Sequence, residues 1–365
     1  MCCIGFDDEQ PFEMLATSWR ENGMNAYRVL LALCLLTAIG DAPAAEPTTA
    51  SNADAFALCR SLRRGINLGN GLEAPREGAW GYRIEDEHLR LIKAAGFDSV
   101  RIPIRWSAHA AKDAPFTIDA RFFERVDHVL GQAAAGGLVA VVNVHHYDEL
   151  YRDPDNHLPR LKAIWQQVGE RYRDRPATVL FELLNEPNAA LDEKKWNAAI
   201  AEILPIVRAS NPTRGVIVGP ARWNNVNALQ ALELPSSDRA LIATFHYYEP
   251  FQFTHQGASW AKGSDAWRGR TWTETADELK RLRTDFDKAA AWSKEHNRPI
   301  FLGEFGAYSA AEMPSRARWT SAVVREATNR GFSFAYWEFG SGFGAYDPAK
   351  NEWRQPLLDA LIAKQ

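Results

Sequence analysis

Two glutamates, Glu182 and Glu186, stand four residues apart in the apolar stretch "FELLNEPN" (181–188), and a third, Glu304, lies in "PIFLGEFG" (299–306). A carboxylate in an apolar run is unfavourable unless it is paired or put to use. Two carboxyls facing each other across a cleft suit one reaction class well. One protonates the leaving oxygen of an acetal while the other attacks the anomeric carbon or activates water. Glu186 and Glu304 are the expected pair, since each closes a predicted strand. Glu182 shares the strand parity of Glu186, and at ~3.3 Å per residue it is expected about 13 Å deeper. There it would be a structural acid paired with an interior base.

The elements that must position these groups are legible as an alternation. Short β-branched runs occupy 65–69, 99–104, 139–146, 178–186, 215–220, 241–248, 299–306 and 332–339. Amphipathic helical patterns fall between them at 85–95, 120–135, 158–172, 193–209, 274–296 and 316–329. Strands covered by helices on both faces read as continuous apolar runs, as these do. Eight such units predict a closed (β/α)8 TIM barrel forming a single domain. "GINLGNG" lacks the G-x-G-x-x-G spacing of a dinucleotide-binding sheet. Polar residues collect at the C-terminal strand ends: Asn67, Asn143 and His145, Asn185 and Glu186, His246 and Tyr248, Glu304, and Trp337. In a barrel those ends converge on the face where barrel enzymes work.

The 365 residues are 46% hydrophobic and 24% charged, an ordinary globular composition. Residues 24–44 read as a secretory signal: Arg28 is the positive flank, Val29–Gly40 the apolar stretch, and Ala42-Pro43-Ala44 the cleavage pattern. The apolar stretch is too short to span a bilayer. Residues 1–44 are therefore set aside as extension and signal, with Met24 as the alternative start. Residues 45–62 form a short N-terminal segment and 63–365 the catalytic domain. Secretion to the periplasm or the medium is expected.

The whole chain carries −4, and residues 1–44, with six acids and two bases, also carry −4, so the remainder is neutral. A neutral body argues against nucleic acid or an anionic membrane as partner. Cys59, the one cysteine left, makes neither an intramolecular disulfide nor a zinc site and is expected to be a half-buried packing residue. His145, His146, His246 and His255 could be imagined around an ion. Neighbouring strand residues point to opposite faces, so "HH" is a poor ligand pair and no metal is expected.

Among 13 tryptophans, Trp80, Trp106, Trp223, Trp260 and Trp337 fall after strands or in loops, where indole faces could meet the C–H faces of sugars. Trp165, Trp196, Trp292 and Trp319 sit in helical patterns and are expected in the core. Trp267 and Trp272 lie in the long loop 249–273, as cleft wall or as loop packing. A loop of that length favours a functional role. Asn67, Asn70, Glu73, Asn224 and His255 join Trp223 and Trp260 as further candidates for sugar contacts.

The motifs "RGINLGN", "VRIPIRW", "VNVHHY", "LLNEPN", "FHYY", "GEFG" and "YWEF" run in this order between Arg63 and Leu361. On them the chain closely resembles glycoside hydrolase family 5, a family of retaining (β/α)8 enzymes. "NPTRGVIVGPARWNNV", "FTHQGASW" and "WEFGSGFGAYD" are similar to bacterial endo-β-1,4-glucanases, some of which also cut β-mannans. The resemblance implies Glu186 as acid/base and Glu304 as nucleophile. It implies that Asn185 bonds the sugar 2-hydroxyl, that Arg101 keeps Glu304 ionised and that Tyr248 donates to it. It places His145 and His146 along the subsite at the cleaved bond, His246 near the acid/base, and Trp337 under the reacting sugar.

The expected activity is thus an endo-β-1,4-glucanase acting on cellulose-type β-glucan, with glucomannan or mannan as second substrates and no cofactor. A monomer is expected. A β-mannanase and an exo-β-glucosidase are the alternatives on the same site, and a non-catalytic glycan-binding barrel is the alternative of another class. No carbohydrate-binding module is expected after the eighth unit, and soluble or amorphous polymers are the expected targets.

Overall fold

A computed structural model describes residues 54–362. The expected signal segment, and residues 45–53 of the short segment after it, lie outside the described residues. The strands are β1 (Arg64–Asn67), β2 (Ser99–Ile102), β3 (Val139–Asn143), β4 (Val179–Glu182), β5 (Val216–Val218), β6 (Leu241–Tyr247), β7 (Ile300–Phe305) and β8 (Ser333–Tyr336). All neighbours pair in parallel and β8 closes onto β1, so the sheet is the expected (β/α)8 barrel in a single domain. A two-stranded ribbon, β9 (Tyr346–Asp347) with β10 (Glu352–Trp353), precedes the last helix.

Crossover helices Asp86–Ala94, Ala120–Ala135, Pro154–Tyr172, Glu193–Ser210, Ala276–His296 and Met313–Asn329 match the six amphipathic patterns. Their apolar stripes bury Trp165, Trp196, Trp292 and Trp319 against the barrel. The fifth crossover is only a 3-10 turn, Val226–Ala231, which is too short to show a helical period. Among the described residues, no helix is long and apolar enough to cross a membrane.

An additional helix, Ala55–Leu62, was not anticipated. It is capped by Asp54, whose side chain accepts from the Phe56 N–H, and it closes the N-terminal end of the barrel. Its Ala55, Cys59 and Leu62 join Val139, Val141, Leu180, Ile217, Ile242, Phe301 and Ala335 in one interior cluster. Cys59 is therefore fully rather than half buried, with its thiol donating to the Ile300 carbonyl at 3.3 Å.

Above this apolar plug the inward positions turn polar. Strand parity carries Ile242 to Thr244, Val141 to Asn143 and Leu180 to Glu182, and register sets Asn67 beside Arg101 and Asn143 beside Glu182. The predicted strands overran their C-terminal ends, most of all at 139–146 and 178–186, because those extensions leave the ladder to form the mouth. His146 (φ 50°) and Glu186 (φ 49°) are both left-handed, a backbone state that non-glycine residues adopt at a cost and that clusters at functional sites. The premise of 13 Å of extended chain between Glu182 and Glu186 fails for the same reason: β4 ends at Glu182.

Candidate active site

Arg101 organises the mouth from below. It is fully buried and uses all five of its N–H bonds. Nε and Nη2 grip Glu182 at 2.6 and 2.7 Å. Nη1 reaches Glu304 Oε1 at 2.7 Å and Asn67 Oδ1 at 2.9 Å, and Nη2 also reaches Asn185 Oδ1 at 2.8 Å. Glu182 is thus the structural acid with an interior base. It shares that base with Glu304 rather than lying a full strand length below the mouth.

Glu304 accepts on both oxygens, since Tyr248 Oη donates to Oε2 at 2.9 Å. A register shift in β6 between Phe245 and His246 sets His246 directly opposite Glu304. Gly303 makes room for this: a Cβ there would lie 2.8 Å from Thr244 Oγ1 and 3.0 Å from His246 Nε2. His246 Nδ1 stands 2.7 Å from Glu186 Oε1 and 3.6 Å from Glu304 Oε2. Glu186, His246 and Glu304 each present a ligand-capable atom within 4.8 Å of the others. His145, His146 and His255 take no part in that group.

Burial disfavours charge on both carboxyls. Desolvation lifts Glu186 to about 7, opposed by Arg101 and reinforced by the charge of Glu182. It raises Glu304 as well, against the opposing pull of His246, Arg101 and the Tyr248 hydroxyl. Only Glu304 is hydrogen-bonded to the guanidinium, so of the two it is the better-supported anion. His246 is pushed down to about 4 by desolvation and is a neutral imidazole near neutrality.

His145 is buried, and its ring stacks parallel to Trp337 at 5.7 Å. Asn143 Nδ2 donates to its Nδ1 at 3.1 Å while Asn143 Oδ1 accepts the Ile104 N–H, which leaves the ring proton on Nε2. The His145 and His146 rings do not point to opposite sides. β3 has already ended, and their centroids are 4.5 Å apart, edge to face. His146 also meets Trp80 edge-on at 5.6 Å.

Three sugar-contact candidates are not on the cleft surface: Asn67, Glu73 and Asn224 have no solvent exposure. Asn67 Nδ2 donates to the Gly303, Ala335 and Tyr336 carbonyls. Glu73 accepts the Asn70 N–H, and desolvation pushes it up to about 8. Asn224 bonds His246. His255 is buried too, stacked on Phe251 at 4.0 Å and packed edge-on against Tyr248 at 5.0 Å. Asn70, half-buried, donates to Glu338 Oε2 at 3.1 Å.

Trp106 is wholly buried, its indole donating to the Asn143 carbonyl, so it is no platform. Trp272 is core, while Trp267 is half-buried against Phe251. Among the described residues the large exposed aromatics are Trp80, Phe251, Trp223 and Trp260, the last two about 60% accessible (59% and 63%). All four belong to the segments that follow the C-terminal ends of β1, β5 and β6.

Two residues escaped the sequence reading. Tyr308 follows "GEFGA" and packs edge-on against Trp260 at 5.1 Å. An aromatic four residues past the Glu304 position is a signal that could have found it. Glu338 accepts the Ser341 and Phe343 N–H groups as well as Asn70, and so ties the loop after β8 to the loop after β1 beside Trp337. Its place directly after Trp337 was the available clue.

Residues 64–342 match the family model for cellulase (glycosyl hydrolase family 5). Endoglucanase H of Acetivibrio thermocellus is 37% identical over 294 residues, which are 80% of this chain and 31% of that protein. Cellulase/esterase CelE of the same organism is 26% identical over 78% of this chain and 36% of its own length. The chain thus spans about a third of the length of these two relatives. Thermotoga maritima Cel5A, solved in complexes with mannotriose and with cellobiose, is 49% identical and superposes with a TM-score of 0.83 over 85% of this chain and 100% of that one. The family match runs from the first residue of β1 past the end of β8, and on that match the chain belongs to the cellulase family, glycosyl hydrolase family 5, and is a glycoside hydrolase.

Proposed function

We propose that this chain is a retaining endo-β-1,4-glucanase that cleaves internal bonds of cellulose-type β-glucan by double displacement. The observation that carries the reading is the asymmetry of the two carboxyls. Glu304 has Arg101 on one oxygen and Tyr248 on the other, as a nucleophile that must be ionised and aimed requires. Glu186 has no direct cation, is raised to about 7, and has only Oε1 engaged, by His246. That suits a general acid.

Carboxyl oxygens within 4.8 Å support retention. Retaining pairs stand roughly 5–5.5 Å apart, whereas inverting pairs leave roughly 6.5–9.5 Å for a water. Glu186 gives its proton to the glycosidic oxygen while Glu304 attacks the anomeric carbon. Glu186, now ionised, takes a proton from water, which releases the sugar from Glu304. Asn185 turns its Oδ1 to Arg101, leaving its NH2 group to donate to the sugar 2-hydroxyl. Trp337, backed by His145, offers the apolar floor. Secretion, read from residues 24–44, is part of the same proposal.

The pH profile follows from the two directions of shift. Activity needs Glu186 protonated, so kcat/KM is expected to fall as pH rises through about 7. It needs Glu304 ionised, and because Glu304 is raised, the acid limb should lie above the usual glutamate range. A kcat/KM profile on cellotetraose tests both limbs, and a flat response from pH 6 to 9 would contradict the Glu186 assignment.

Glucomannan and mannan are the second substrates in this reading. The support is the mannotriose complex of the 49% identical Thermotoga maritima Cel5A. Exposed Trp80, Trp223 and Trp260 extend the mouth beyond one sugar, which supports endo action. A panel of β-1,4-glucan, mixed-linkage glucan, xylan, glucomannan and mannan decides the substrate. Mid-length oligomers are expected early from cellohexaose. Glucose as the sole early product would favour an exo-β-glucosidase, mannan-only turnover a β-mannanase, and binding without turnover a non-catalytic barrel.

A further inference from the structure

We infer that Asn224 is a positioning residue which, through His246, decides which oxygen of Glu186 carries the catalytic proton. This rests on Glu186 being the acid/base. Asn224 is fully buried, and its Nδ2 lies 3.2 Å from His246 Nε2. Nδ1 faces two carboxyl oxygens, Glu186 Oε1 at 2.7 Å and Glu304 Oε2 at 3.6 Å, so the ring's single proton belongs on Nδ1 and Nε2 accepts from the Asn224 amide. Nδ1–H then donates to Glu186 Oε1 at 2.7 Å.

An oxygen that accepts from a neutral imidazole N–H cannot place its own proton in that same bond. The acid proton is therefore on Oε2, which has no hydrogen-bond partner among the described residues and is open to a leaving group. As Oε2–H breaks, the proton goes to the glycosidic oxygen, which keeps the electron pair of its broken bond to the anomeric carbon. The carboxylate left behind remains held by Nδ1–H. With the other tautomer, Nδ1 would accept the Glu186 proton and trap it in an O–H···N bond facing away from substrate.

Several features indicate that Asn224 is placed for this contact. Among the described residues its side chain makes one hydrogen bond, the one to His246. Gly219 stands against it, where a Cβ would come within 2.2 Å of Oδ1. Asn224 ends three successive left-handed residues, Arg222 (φ 58°), Trp223 (φ 58°) and Asn224 (φ 53°). That strained run is pinned to the acid/base loop by the Trp223 N–H on the Pro187 carbonyl at 3.1 Å, and to β6 by a bridge between Asn225 and His246.

The test compares Asn224→Leu and Asn224→Asp with the wild type on phenyl and dinitrophenyl β-cellobiosides, reading kcat/KM against pH. Dinitrophenolate leaves without a proton, whereas phenol needs one. Asn224→Leu frees the tautomer, and it should lower kcat/KM on the phenyl substrate by about 10²-fold while sparing the dinitrophenyl substrate. Asn224→Asp, nearly isosteric, accepts from Nε2–H and favours the imidazolium.

The charged and titratable groups around that ring are Glu186, Glu304, Glu182, Arg101 and His145. An added positive charge at His246 favours ionised Glu186, so the basic limb should move to lower pH. Equal losses on both substrates, or a basic limb that Asn224→Asp leaves in place, would overturn the inference. Glu186→Ala in the same assay tests the reading beneath it. If that variant also loses both substrates equally, the acid/base assignment itself falls, whatever Asn224 does.

Discussion

Glu304→Ala is expected to lose at least about 10⁴-fold in kcat/KM on cellohexaose and on glucomannan alike, because in the proposed mechanism Glu304 forms the covalent bond to sugar. The fold should survive. Glu304 is a buried carboxyl whose charge is already disfavoured by desolvation, and Arg101 keeps Glu182 as a bidentate partner without it. A melting temperature near that of the wild type, together with the lost rate, separates chemistry from unfolding. Near-wild-type hydrolysis of both substrates would remove Glu304 from the mechanism.

Glu186→Ala should fail differently. It loses most on substrates with poor leaving groups and little on dinitrophenyl cellobioside. Azide in the vacated space should restore turnover by attacking the glycosyl–enzyme on the face where water would enter. A β-glycosyl azide is then the expected product, as retention requires, whereas an α-azide would contradict a nucleophile at Glu304.

The eight-fold alternation was legible because each β-branched run is buried on both faces and each crossover helix has one apolar stripe. The places where the reading went astray share a physical cause. Hydropathy does not change at the residue where a strand leaves its ladder, so His145, His146, Asn185 and Glu186 read as strand although β3 and β4 end at Asn143 and Glu182. The ladder ends because these residues adopt turn and left-handed conformations, a property of φ and ψ that residue type barely encodes.

Polarity at a strand end likewise says that a residue is near the mouth, not which way it faces. Asn67 and Asn224 look like sugar contacts in the sequence, yet both are turned inward, one onto Arg101 and the other onto His246. The Ala55–Leu62 helix was missed because eight residues with three buried positions carry little periodic signal. Its role as a barrel plug depends on seven strand residues distributed from Val139 to Ala335.

Arg101 is where stability and chemistry meet, and its removal should have the second large effect. Arg101→Leu leaves Glu182 and Glu304 without their cation in a buried site, and stripping one partner from a buried ion pair typically destabilises by about 3–5 kcal/mol. It also removes the charge that favours ionised Glu304, so the acid limb of kcat/KM should move to higher pH as activity falls.

Arg101→Lys is the sharper comparison. An ammonium keeps the charge but has three donors, which cannot replace a planar fork serving Glu182, Glu304, Asn67 and Asn185 together. If charge alone mattered, Lys would restore most of both properties. The five-bond geometry predicts that it restores neither.

Glu182→Gln then distinguishes the two glutamates of "FELLNEPN". The amide keeps one acceptor for Arg101, so melting should drop while the folded enzyme still turns over. Loss of the charge that helps raise Glu186 should move the basic limb of the pH profile downward. Abolished turnover with unchanged melting would instead make Glu182 a participant in the chemistry, and the division of roles between it and Glu186 would have to be redrawn.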